Sequence, residues 1–538
     1  MASRDISNSY DQTPYPRHAY GFSHPDRLAT LATLHGLEPP PLRTARILEV
    51  GCARGTNLVP MAYALPEAEF VGIDLSERQI AEAREFAAGV GLKNIRFEQR
   101  DLAALDDGIG RFDYIIAHGV YSWVPPAVGQ ALLELCGRRL TDNGLALVSY
   151  NAYPGCHLRQ MVRAMGRFHT RAIDEPRQRV EQMHALMQLL VRFSPDDGSA
   201  YIRILRSEAD RLARLSDELV LHDVLEEANY PVYFHEFVDR CRNCGLQYIC
   251  EALPVDRRRS GIAADVLAKL AKQYDPIELE QQLDFLEGTS FRRSIICRSG
   301  QKRTRDALAD ASLADETTSS RDPLKRLLLA TAAQPLSAAP ELSGNRPEEF
   351  VARKDRVTAS LRCDQPIEKM SLAVLGEVYP RTMPFDELLA AATGRLGRTP
   401  TPQDHRELRA LVAGGFPIGA IDLHSWQPPA VNTVSRCPEA SPVARYELAH
   451  GWAATTLWHD RFVVDDLLSR QLVINLDGRT DRGALIDRLT RASAEQQASP
   501  LRPASQSPSW LAAGLQDQVA SRLDAALSDL ARSAVLIA

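Results

Sequence analysis

Residues 47–57 read Ile-Leu-Glu-Val-Gly-Cys-Ala-Arg-Gly-Thr-Asn, and a second apolar run ends in Ile73-Asp74. The first stretch carries an apolar strand into a glycine-bearing turn, and a helix is expected over 56–64. Gly51 and Gly55 let the backbone turn sharply and approach a ligand where a Cβ would collide. Asp74 closes the next strand roughly twenty residues later, where an acid can take both hydroxyls of a ribose. Together they predict a nucleoside-cofactor site on a doubly wound α/β sheet.

The pattern is Glu49-x-Gly51-x-Ala53-x-Gly55 rather than the Gly-x-Gly-x-x-Gly of a dinucleotide site. An acid at the strand end would repel a pyrophosphate at a helix N-terminus. It suits a cationic sulfonium ligand carrying an ammonium group, which favours S-adenosylmethionine over NAD. The stretch resembles motif I of the class I methyltransferases, with Ala53 where a glycine is more usual. Further stations follow in the family's order. Gln99-Arg100-Asp101-Leu102 comes after a third strand, where the family places an acid that receives the adenine amino group. Residues 112–117 read as the fourth strand and 144–150 as the fifth. The expected fold is a Rossmann-like class I methyltransferase sheet.

The chain has 538 residues, which implies more than one domain. Net charge is −6 and no long basic block occurs, so non-specific nucleic-acid binding is not expected as the main task. No stretch approaches the ~20 apolar residues of a membrane span, and the N-terminus has no apolar signal core. The expectation is a cytoplasmic protein. Nine scattered cysteines suggest free thiols. Cys241-x-x-Cys244 with Cys250 has metal-like spacing but lacks the second pair, and reads as a helix end followed by a strand. No metal is expected.

The organisation read along the chain starts with a Tyr- and Pro-rich arm and the cofactor-binding core, 1–157. Ser23-His-Pro-Asp26 predicts a helix start with a hydroxyl cap. Residues 158–228 read as a helical insertion, helical throughout and including 177–193 and 207–228, beside the substrate face of the sheet. Residues 229–300 end the catalytic fold, with a sixth strand at 246–251 and a reversed seventh at 291–298. A linker with one short element or a strand pair is expected over 301–350. A mainly α, winged-helix-like region follows over 351–495, with helices at 370–378, 384–392 and 404–414 and a wing strand at 418–424. Its third helix carries only His405, Arg406 and Arg409 as basic groups, so packing or substrate docking is favoured over DNA reading. Residues 496–511 read as mobile and 512–531 as a final helix.

Longer blocks narrow the resemblance. They are Tyr10-Asp-Gln-Thr-Pro-Tyr15, 23–31, Ala117-His-Gly-Val-Tyr-Ser-Trp-Val-Pro125, Ser149-Tyr-Asn-Ala-Tyr-Pro-Gly-Cys-His157 and Asn229-Tyr-Pro-Val-Tyr-Phe-His-Glu-Phe237. These resemble bacterial methyltransferases with a methyltransferase regulatory domain, and among them the rickettsial-type protein lysine methyltransferases that act on outer-membrane proteins. Cys156 stands where that family leans to tryptophan.

The resemblance implies S-adenosylmethionine as cofactor, and a protein acceptor more than a small molecule. Its implied cofactor contacts are Glu49, Gly51, Cys52, Ala53, Gly55, Asn57, Asp74, Leu75, Asp101, Leu102 and His118, with Tyr10 and Tyr15 from the arm. The candidates for the acceptor pocket are His118, Tyr121, Trp123 and Tyr150, because a lysine acceptor needs a dry aromatic site that disfavours its ammonium form. His118 reads more as a ligand-orienting group than as a base, Trp123 equally as a helix-packing aromatic, Tyr153 as part of a turn, and Tyr114 as core. The Asp-Pro-Pro-Tyr motif of many amino-group methyltransferases is absent, so nitrogen as acceptor rests on the resemblance. A small-molecule methyltransferase and a cofactor-binding regulator stay open, as does a homodimer.

Overall fold

The computed structural model of the chain describes residues 13, 15–104, 107–253, 262–302, 304, 308, 322–354, 357–497 and 511–538. Its centre is a seven-stranded sheet in the order β3-β2-β1-β4-β5-β7-β6. The strands are β1 (Arg46–Val50), β2 (Glu69–Asp74), β3 (Ile95–Gln99), β4 (Phe112–Ala117), β5 (Leu140–Asn151), β6 (Leu246–Glu251) and β7 (Phe291–Arg298). β1 to β5 run parallel, and β7 is antiparallel to both β5 and β6. β1, β2 and β4 are covered on both faces and are mostly apolar, whereas the edge strand β3 carries Arg96, Glu98 and Gln99. Alternate residues serve opposite layers: Ile47, Tyr114 and Ile116 join one core, and Leu48, Ile115 and Ala117 the other.

The first long helix, Pro25–Leu34, is capped differently from the sequence expectation. His24 supplies the capping group, its Nδ1 accepting from the Asp26 N–H at 3.1 Å. Ser23 is instead buried, donating to the Tyr20 carbonyl at 2.8 Å and packing against Asn57. The insertion holds helices Cys156–His169, Pro176–Phe193 and Ala200–Leu212 around a small core that includes Val162, Met183 and Leu205. The expected continuous helix over 207–228 breaks after Leu212. It resumes as a short turn, Asp217–Leu219, and a π-helical turn, Val220–Leu225. Arg163 holds that wide turn, donating to the carbonyls of Asp223 and Glu226, each at 2.6 Å.

Beyond the sheet, helices Pro366–Val378, Phe385–Arg395 and Pro402–Ile418 pack with a three-stranded sheet of Leu328–Ala330, Met383–Pro384 and Asp422–His424. The third helix passes through Gly414-Gly415, where the sequence suggested a stop. It ends at Gly419, whose φ of 74° gives the left-handed cap. Arg409 on this helix is buried and donates to Asp322 at 2.6 Å, so it serves packing. Within the stretch expected as a linker, Leu328–Ala330 is the central strand of this sheet, and Gln334–Pro335 pairs with Glu348–Lys354. The C-terminal unit holds Pro442–Ala449, the strand pair Ala454–Thr455 and Arg461–Phe462, Leu467–Asn475, Arg482–Gln497 and Leu511–Arg532.

These regions share one core. Leu28 and Leu31 from the first helix join Leu324, Leu329, Phe350 and Phe385 in a continuous apolar cluster. Asp26 accepts from the Ser425 N–H at 2.6 Å and faces His424 Nδ1 at 2.7 Å. Tyr446 stacks on Phe86 at 5.0 Å, and Arg17 lies 3.7 Å over Trp452. Among the described residues no helix is long and apolar enough to cross a membrane.

Candidate active site

The C-terminal ends of β1, β2, β4 and β5 open into a cavity of about 660 Å³. The turn after β1 shapes one wall. Gly51 and Gly55 take φ of 71° and 70°, and a Cβ on Gly55 would lie 2.7 Å from the Phe97 ring. Gly55 does not line the cavity itself. Its role is to let the turn sit against β3. Ala53 also takes a positive φ, 46°, at the position where glycine is more usual in the motif it resembles. Its N–H donates to Asp74 Oδ2 at 2.9 Å, and the Ser76 N–H donates to Asp74 Oδ1 at 2.9 Å. Asp74 thus faces the cavity with its carboxylate aimed by two backbone amides.

Glu49 is buried at the floor. Asn57 Nδ2 donates to its Oε1 at 2.6 Å, while Oε2 is buried without a partner. Burial pushes the Glu49 carboxyl up to about 8, opposed by the Asn57 hydrogen bond and reinforced by Asp74. An unsatisfied buried acid is costly unless a cation meets it. The ammonium of an amino-acid-bearing nucleoside is such a cation, and Asp74 stands ready for the ribose. The donor set therefore fits S-adenosylmethionine.

His118 lies opposite. Its Nδ1 is 2.8 Å from Ser149 Oγ, which also accepts the Gly119 N–H at 2.9 Å. Ser149 thus ties the His118 ring to the turn that follows β4. The ring meets Tyr20 edge-on at 4.2 Å and Phe22 at 5.0 Å. Burial, with Arg293 and His18 nearby, pushes His118 down to about 3. The ring is neutral at physiological pH.

Of the residues expected at the site, Tyr15, Glu49, Gly51, Cys52, Ala53, Asn57, Asp74, Leu75, Asp101, Leu102, His118 and Trp123 line this cavity. Tyr10 lies outside the described residues. Tyr121 and Tyr150 do not line it. Tyr150 is buried, stacked on Phe237 at 4.1 Å, with its hydroxyl 3.1 Å from Ser294. The reason is the two-residue period of a strand: Ser149 and Asn151 face the site, so Tyr150 between them enters the opposite core. Tyr121 is buried in the same layer and accepts from Arg240 at 3.1 Å. Tyr153 stacks on His157 at 4.0 Å. The expectation omitted Tyr20, Phe291, Arg163, Arg293 and Asp223, all of which line the cavity. Asp223 sits on the π-helical turn, and nothing local in its sequence marks that turn.

The methyltransferase domain profile matches residues 47–144, the predicted methyltransferase regulatory domain 216–298, and the PKMT C-terminal winged helix domain 437–535. An uncharacterised protein of Rickettsia prowazekii, RP789, is 31% identical over 491 residues, covering 89% of this chain and 85% of its own. The chain belongs to the S-adenosylmethionine-dependent methyltransferases that carry a methyltransferase regulatory domain. A second R. prowazekii protein, RP028, is 36% identical over 242 residues, which is 45% of this methyltransferase and 97% of the relative. The structure of PKMT2 from Rickettsia typhi, also solved in complex with AdoHcy, matches with a TM-score of 0.81 at 25% identity, covering 98% of this chain and 100% of its own. Where the sequence suggested a winged helix within 351–495, the winged-helix profile falls on 437–535.

Proposed function

We propose that this methyltransferase is a protein lysine N-methyltransferase that transfers the methyl group directly, in line, to a deprotonated amine. The observation that carries the reading is Asp223, which lines the cavity together with Tyr20, Trp123 and Phe291. When bound, S-adenosylmethionine supplies an electrophilic methyl group on a sulfonium. The chain's own task is to remove a proton from the incoming ammonium and to aim the amine. Desolvation among the rings disfavours the charged form, and Arg163 and Arg293 on the same cavity disfavour it further. Asp223 is the group suited to take that proton. Burial pushes its carboxyl up, against the opposing charges of His222, Arg211, Arg163 and Arg159. His118, held neutral, orients rather than titrates. The full-length likeness to PKMT2 supports a protein acceptor.

A second reading has one observation in its favour: Arg159, Arg163 and Arg293 all line the cavity and would suit a small acidic acceptor. The test is incubation with tritiated S-adenosylmethionine and cell extract, split into protein and small-molecule fractions, with mass spectrometry of labelled protein. Methyl-lysine in protein is the expected result, and label confined to small molecules would reject the proposal. With the labelled protein as substrate, Asp223→Asn should cut kcat/KM about 10²-fold at neutral pH, the usual scale of a lost general base. The deficit should shrink as pH rises, because the amine then arrives already deprotonated.

A further inference from the structure

The C-terminal unit reaches the cofactor site directly. His459 lies on the turn between Ala454–Thr455 and Arg461–Phe462 and is buried. Its Nε2 is 2.9 Å from Asn57 Oδ1, an oxygen that also accepts the Tyr20 N–H at 3.0 Å. The amide of Asn57 in turn donates to Glu49 Oε1 at 2.6 Å and to Ser23 Oγ at 3.1 Å. Asn57 therefore stands between a side chain near residue 460 and the acid whose second oxygen is unpartnered in the cofactor cavity. An acceptor at Oδ1 requires a proton on His459 Nε2, so the histidine is a donor.

The backbone supports a purpose for this residue. His459 takes a φ of 62°, a left-handed conformation that a histidine adopts at a cost. The turn holds it there: the His459 N–H donates to the Thr456 carbonyl at 2.9 Å, and the Thr456 N–H to the Asp460 carbonyl at 2.9 Å. Such conformations persist where their surroundings over-determine them, and they cluster at functional sites.

We infer that His459 is a positioning residue for the cofactor, clamping Asn57 so that Glu49 is held for the ammonium group. The C-terminal unit is then part of the cofactor site, whatever the acceptor, and cofactor affinity depends on the His459–Asn57 bond. Without the His459 donor, Asn57 Oδ1 keeps only the Tyr20 N–H and the Ser23 hydroxyl, and the amide is held less firmly against the Glu49 carboxylate.

The test uses full-length protein, calorimetric titration with S-adenosylhomocysteine, and thermal melts without ligand. His459→Met fills the space and donates nothing, whereas His459→Gln retains a donor. His459→Met should weaken binding about tenfold at full stoichiometry, and His459→Gln should recover to within about threefold of wild type, the scale of one buried hydrogen bond. His424→Ala, which loosens the same docking surface without touching Asn57, should lower the melting temperature and leave affinity unchanged. Wild-type affinity in His459→Met would overturn the inference. So would equal weakness in the Met and Gln variants, or an affinity loss in His424→Ala as large as in His459→Met.

Discussion

Glu49 is held near the edge of ionisation, and this gives the site a pH dependence with a definite sign. Its carboxyl stands at about 8, against an ordinary value of 4.5. The native, cofactor-free protein therefore keeps a proton that the unfolded chain releases above about 4.5. By linkage, this group costs stability as pH rises from about 4.5 to about 8, and Glu447, also raised by burial to about 8, adds in the same direction. Cofactor binding should run the other way. An ammonium group needs the carboxylate, so binding at pH 7 should expel a proton and affinity should climb toward pH 8, by up to about tenfold per unit. Calorimetry in buffers of different ionisation enthalpy measures that proton. In Glu49→Gln the release should vanish and the pH profile flatten; a profile as steep as wild type would sink the idea. The sequence placed Glu49 and Asp74 at the cavity, which both line, because strand ends and a glycine turn fix their positions. Asn57 was expected as a cofactor contact and lines the cavity, but its bond to His459 joins residues too distant in sequence for any local pattern to link.

Strands and helices were read well where one period dominates, and less well where tertiary contacts decide. β7 was expected at 291–298 and lies at Phe291–Arg298. The sequence did not reveal that Arg292 points inward. It is fully buried, donating to Asp284 at 2.7 Å, Glu251 at 3.0 Å and Glu280 at 3.1 Å. Glu280 and Asp284 lie one turn apart on helix Pro276–Glu287, so this cation ties that helix and β6 to β7. Removing one member of a buried ion network leaves uncompensated charge. Arg292→Met should therefore destabilise the protein by about 3–5 kcal/mol, read as a lower urea midpoint. A shift within the range of surface substitutions would show that the network is solvated in solution. Tyr150 carries the same lesson in reverse. It was expected at the site for its aromatic ring, but its strand parity sends it into the opposite core.

At the scale of the whole molecule, the sequence suggested that the catalytic fold ends near residue 300 and is followed by a linker over 301–350. Linker-like composition over 301–350 supported that division, because composition reports local flexibility and not which faces meet. The structure leads to a different expectation. The first helix buries Leu28 and Leu31 against Leu324, Leu329 and Phe385, and Asp26 binds Ser425 across the same surface. Residues 15–18 and Tyr20, which wall the cofactor cavity, lie in a segment held by Trp452 through Arg17 and by Asn57, to which His459 also bonds. A chain ending at 302 would expose this apolar surface, each large side chain costing about 1.5–3 kcal/mol of burial, and would leave the cavity wall without support. It should therefore be recovered aggregated or with a strongly lowered melting temperature, and its affinity for S-adenosylhomocysteine should fall by at least about tenfold. The contacts between the halves are non-covalent, so co-expressing residues 320–538 as a separate chain should restore solubility and binding together. A monomeric 1–302 fragment that melts cooperatively and binds with full-length affinity would return the division suggested by composition, and the C-terminal half would then act on the acceptor alone.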